Sequence, residues 1–128
     1  MKLAVALLLV SLALIAQSSS AGYAAYRKGA ELFDRGRYDD ALTELNRALD
    51  LDSKFVPALT MKAKLAMSTN RYDVARECLQ RALAASPSSA YAQFLFGFLD
   101  YRQDKMPEAI AIWGSANTSR ILGNGPAC

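Results

Sequence analysis

At 128 residues, with 52% hydrophobic and 21% charged residues, the chain has the size and composition of one folded domain. Its net charge of +3 is weak and dispersed, which gives no nucleic-acid footprint. It contains no histidine, which excludes a Ser-His-Asp or Cys-His nucleophile and any histidine metal ligand; Cys78 and Cys128 are too few for a structural zinc site.

Residues 1–21 read MKLAVALLLVSLALIAQSSSA: a short positive start, an apolar run from Leu3 to Ala16, then small and polar residues. This is the layout of a secretory signal peptide. The run is 14 residues long, whereas about 20 are needed to cross a hydrocarbon core. Cleavage is expected after Ala21 or after Ser18, giving a secreted or periplasmic mature chain. An uncleaved anchor is the alternative, because no charge interrupts Leu3 to Tyr26. The membrane enters as a partner only in that case.

The rest of the chain reads as amphipathic stretches joined by tight turns, for example Tyr23–Arg35 and Asp39–Leu51. The turn residues are Gly36, then Asn70, then Asp104, the types that best tolerate a left-handed backbone at a helix end. Pro57 and Pro107 fall at helix starts, where a missing N–H costs nothing. Ser115 to Cys128 carries one charge, Arg120, and Gly123, Gly125 and Pro126 break any helix there. Gly123-Asn124-Gly125 opens no helix and forms no phosphate loop. Residues 123–128 are expected to be a flexible tail.

Shifting the sequence by 34 residues against itself aligns Gly29 with Ala63 and Gly97, Ala41 with Ala75 and Ala109, Leu45 with Leu79 and Trp113, and Ala48 with Ala82 and Ala116. Small residues in these columns let two helices approach closely. Leu45, Leu79 and Trp113 are expected to fill the space between neighbouring hairpins. The pattern resembles the tetratricopeptide repeat family, whose small residue matches Gly29, Ala63 and Gly97, and whose closing proline matches Pro87. The family's first-helix tryptophan position holds Ala25, Leu59 and Gln93 instead. The resemblance implies an all-α fold, a right-handed α-solenoid of three helix-turn-helix repeats at 22–55, 56–89 and 90–122. It implies a protein-interaction scaffold with no enzymatic activity and no cofactor. Such arrays end in a polar capping helix, which this chain lacks, so weak homodimerisation through an open apolar face is expected.

In this family the first helix of each repeat lines a concave groove for a partner peptide. The matching positions are Tyr23, Tyr26, Phe33 and Asp34; then Thr60, Lys64, Met67 and Ser68; then Tyr91, Phe94, Phe98, Tyr101 and Arg102. Tyr26 and Ala30 occupy the places where some members clamp a C-terminal carboxylate, so that specialisation is not expected. The aromatic stripe on Tyr91–Arg102 reads either as buried core, since this helix is apolar nearly all round, or as a set of peptide anchors. Asp39, Asp40, Glu44 and Arg47 read as a solvated helix face. Cys78 reads as a buried, inert thiol, as one half of a disulfide with Cys128, or as a thiol open to another chain. The function expected is an exported scaffold that binds another protein or peptide. The rival is a self-associating structural protein or a membrane-tethered assembly factor.

Overall fold

The computed structural model describes residues 2–103 and 110–114, with residues 15–19 described by backbone alone. Helices α1 (Lys2–Asp34), α2 (Tyr38–Leu51), α3 (Val56–Ser68), α4 (Tyr72–Ala85) and α5 (Ala90–Arg102) follow in order, and 110–114 are also helical. There is no strand among the described residues. The expected turn at Asp104, the helix start at Pro107, the tail and Cys128 lie outside them. The chain divides into two compact units, Met1–Ala58 and Leu59–Cys128.

The first unit is a helical hairpin. On α1, Gly22, Ala25, Gly29 and Leu32 recur at helical spacing and are buried; on α2, Ala41, Leu45, Ala48 and Leu49 answer them. Gly29 is small because Leu45 lies on it: an added Cβ would stand 2.9 Å from the Leu45 Cγ. Leu45 thus fills a notch inside its own hairpin, whereas the repeat columns alone suggest the space between hairpins. The turn is closed by the Arg37 N–H donating to the Leu32 carbonyl and the Gly36 N–H donating to that of Phe33, both at 2.9 Å, with Gly36 at φ 74°. Asp39 and Asp40 stand in the first turn of α2, where negative charge favours the helix dipole.

Glu44 departs from the solvated face expected for it. Its side chain is only 14% exposed and one oxygen lies 3.2 Å from the Lys28 ammonium. It comes one residue before the buried Leu45 and so falls at the edge of the packed face. The front of α1 has the opposite character: Leu3 is 81% exposed, and Leu7, Leu8, Leu12 and Leu14 are also exposed. This helix runs unbroken through Ser18–Ala21. Among the described residues no helix is long and apolar enough to cross a membrane.

The second unit has its core where Ala63, Ala66 and Met67 of α3 meet Ala75, Cys78 and Leu79 of α4 and Leu95 and Leu99 of α5. Leu79 and Leu99 are fully buried, and each such side chain contributes about 1.5–3 kcal/mol. The turn between α3 and α4 repeats the first one, with Asn70 at φ 60° and the Arg71 N–H donating to the Ala66 carbonyl at 2.7 Å. Ser89 caps α5, its hydroxyl accepting from the Ala92 N–H at 3.2 Å. A charged clasp joins α4 to α5: an Arg76 nitrogen lies 2.6 Å from Asp100 and donates at 2.8 Å to Gln103. Asp100 is 2% exposed, so its charge is tolerable only because Arg76 meets it.

Trp113 occupies in this unit the place that Leu45 holds in the first. A Cβ on Gly97 would strike the Trp113 indole, whose Cδ1 would be 2.7 Å away. The indole N–H donates to the Phe94 carbonyl at 3.4 Å. Cys78 is buried in the core, and that burial raises its thiol pKa.

Candidate functional site

Helix α5 is apolar nearly all round because it serves two surfaces. Ala92, Leu95 and Leu99 recur at helical spacing and point into the core. Tyr91, Phe94, Phe98 and Tyr101 form a second stripe at the same spacing. Three of these are open to solvent, Tyr91 by 50%, Phe94 by 52% and Tyr101 by 49%. The core reading of the stripe therefore fails for those three. It holds in part for Phe98, which packs against the core cluster with one side.

The rings form a continuous ladder. Phe94 and Phe98 are 6.3 Å apart at 12°, and Phe98 and Tyr101 are 6.2 Å apart at 29°. Tyr101 in turn meets Trp113 at 6.5 Å. Opposite the ladder stand Lys64, Met67 and Ser68 at the end of α3. Between the two helices lies a cavity of about 340 Å³, lined by Lys64, Met67, Ser68, Tyr91, Phe94, Leu95, Phe98 and Arg102. The Arg102 guanidinium lies 5.9 Å from the Phe98 ring centroid and donates to the Tyr72 hydroxyl at 3.4 Å.

Of the residues expected in a groove, the second unit brings together Lys64, Met67, Ser68, Tyr91, Phe94, Phe98 and Arg102. Tyr101 extends the ladder towards Trp113 and is not among the cavity's lining residues. Thr60, expected on the same face, is buried instead. In the first unit Tyr23 lies 6.0 Å from Tyr26, Tyr26 packs edge-on against Phe55, and Phe33 packs against Tyr38. Leu95 is the lining residue that sequence reasoning misses. Its periodicity marks it as core, and only its place between the Tyr91 and Phe98 turns hints that its edge reaches the cavity.

The lining carries two cations and no carboxylate, and it is otherwise aromatic or aliphatic apart from Ser68. That chemistry can hold apolar side chains and balance negative charge. Among the described residues no cluster of three His, Cys, Asp or Glu could hold a metal ion.

Comparison with known proteins places these features among relatives. Models of the tetratricopeptide repeat match residues 32–96 and, separately, residues 2–55. The second match begins inside the segment expected to be removed. An uncharacterized protein of Methanocaldococcus jannaschii is 32% identical over 69 residues, which are 54% of this chain and 80% of that protein. Among solved structures, the first TPR of Spaghetti (RPAP3) bound to the HSP90 peptide SRMEEVD superposes with a TM-score of 0.72 at 22% identity, covering 77% of this chain and 78% of that one. MamA superposes with a TM-score of 0.74 at 19% identity, covering 86% of this chain and 61% of that one. At these identities the likeness is one of fold.

Proposed function

The chain belongs to the tetratricopeptide repeat family, and from that premise we propose that it is an exported protein-interaction scaffold whose second unit holds a partner peptide between α3 and α5. The observation that carries this reading is the exposed aromatic ladder Phe94–Phe98–Tyr101 beside the 340 Å³ cavity. Folded chains rarely leave a contiguous row of large aromatics open unless something covers it. Aromatic side chains in such rows are the residues that carry most binding energy. The peptide bound to the similarly folded Spaghetti repeat supports the same reading. Tyr26 and Ala30 stand where a carboxylate clamp would need basic or amide groups, so recognition here rests on the apolar wall.

Export is the second part of the proposal. Its support is the uncharged, leucine-rich run Leu3 to Leu14 of α1, whose side chains lie open to solvent behind the positive Lys2. A membrane tether is the variant in which that segment stays on. Self-association is the other reading, favoured by the exposure of Ile110 beside the half-buried Trp113.

The groove is tested by placing a photocrosslinking benzoylphenylalanine at Tyr91 in the native host and, as control, at Asp40. The proposal expects one defined partner adduct from position 91 and none from position 40. Equal, diffuse crosslinking from both would contradict it, and an adduct with a second copy of the chain would favour self-association.

A further inference from the structure

We propose that the groove beside α5 is covered by the chain's own residues 115–128, with Ile121 and Leu122 seated on Phe94 and Phe98, and that a partner peptide binds by displacing them. This rests on the reading of the groove as a peptide site and adds what holds it before a partner arrives. The described residues stop at Gly114, and the residue before it already touches the ladder. The Trp113 indole donates to the Phe94 carbonyl at 3.4 Å, and its ring lies 6.5 Å from that of Tyr101. The chain therefore leaves the last described helix beside the aromatic row. Ile121 follows Trp113 by eight residues, a reach of about 26 Å at roughly 3.3 Å per residue. The ladder from Phe94 to Tyr101 is only about 10 Å long, at roughly 1.5 Å per helical residue, so the whole row is within range. The composition of 115–128 suits that seat. Arg120 is its one charged side chain, and Ile121 and Leu122 are its only large apolar residues. Gly123, Gly125 and Pro126 favour extended chain over helix, the form that enters a groove between two helices. The alternative seat is the open end of the array, where the helix at 110–114 offers one exposed large apolar residue, Ile110; the aromatic stripe offers three, Tyr91, Phe94 and Tyr101. A short linker holds such a segment at about millimolar effective concentration, so a weak contact keeps it in place and a stronger ligand removes it.

The test uses the purified full chain with benzoylphenylalanine at Tyr91, mixed from light and heavy-nitrogen preparations and read by tryptic mass spectrometry. The expected product is an adduct to the peptide that follows Arg120, joining light to light and heavy to heavy. Ile121→Ser/Leu122→Ser should abolish that adduct at an unchanged unfolding temperature. A fluorescein-labelled peptide of residues 115–128, followed by anisotropy, should bind the double variant about tenfold more tightly than the parent, the gain when a groove free about one-tenth of the time becomes always free. Adding Phe94→Ala to the double variant should remove this binding. An adduct of mixed isotopes would overturn the inference in favour of a second copy. An adduct that survives Ile121→Ser/Leu122→Ser would overturn it by removing its anchors. Equal binding of the labelled peptide to variant and parent, or none to either, would overturn the covered groove. A tail adduct obtained from benzoylphenylalanine at Ile110 and not at Tyr91 would move the segment to the open end of the array and overturn it too. In each of these cases the partner adduct from position 91 in the native host still decides the peptide-site reading, so the two fail separately.

Discussion

Phe94 and Phe98 stand one helical turn apart and carry different loads. Phe94 is more than half exposed, while Phe98 lines the cavity and also packs on the core cluster. Phe94→Ala should shift stability by less than about 1 kcal/mol, in the range of exposed substitutions. Phe98→Ala should cost about 2 kcal/mol, short of the 3–5 that a fully buried phenylalanine loses. Urea unfolding of the two variants checks the difference. Gly97→Ala drives a methyl into the Trp113 indole, which overpacks the contact by about 1–3 kcal/mol. Trp113 emission should shift to the red as the ring is pushed outwards; unchanged emission would mean the indole does not rest on Gly97. For Cys78 the cause is burial, which raises the thiol pKa above its ordinary value. A raised thiol pKa leaves its stabilising contribution whole below the unfolded value and removes it as pH climbs above that value. The native thiol should therefore resist alkylation at neutral pH and react fully once the chain is unfolded.

At the scale of elements, the Arg76–Asp100 clasp ties α5 to α4 and so fixes the angle at which the ladder is presented. Arg76→Met leaves the Asp100 charge buried without its partner and should cost about 3 kcal/mol, while Arg76→Met/Asp100→Leu should recover most of that loss. Ala75 is fully buried in the same unit, so Ala75→Leu should cost about 1–3 kcal/mol by overpacking. The helix pairs were legible in the sequence because close approach admits few residue types: glycine or alanine at 29, 63 and 97 betrays a contact whatever surrounds it. Gly36 and Asn70 were legible for a similar reason, since a left-handed backbone excludes most side chains. What each small residue faces was not legible. A repeat column marks Leu45 and Trp113 as large partners but does not say whether they lie within a hairpin or between two. Glu44 was misread because one helical position decides between the exposed face and the packed edge. The double role of α5 stayed ambiguous, because an all-round apolar helix looks the same whether its second face meets core or ligand.

For the whole molecule, the proposal joins an export segment to a repeat domain with a groove in its second unit. The N-terminal half of that account has a sharp readout. Intact mass of the exported protein should correspond to a chain starting at Ser19 or Gly22, whereas a membrane-bound chain starting at Met1 would make residues 2–21 a lasting part of α1. Sedimentation velocity across a concentration series should show weak dimerisation if the helix around Ile110 and Trp113 seeks a partner, and a constant monomer if it does not. The groove itself is tested most directly by measuring thermal unfolding and capture of the crosslinked native partner on one preparation of Phe94→Ala. The account predicts an unfolding temperature within a few degrees of the parent and a loss of capture. Capture retained at parental strength, or lost only together with the fold, would contradict it.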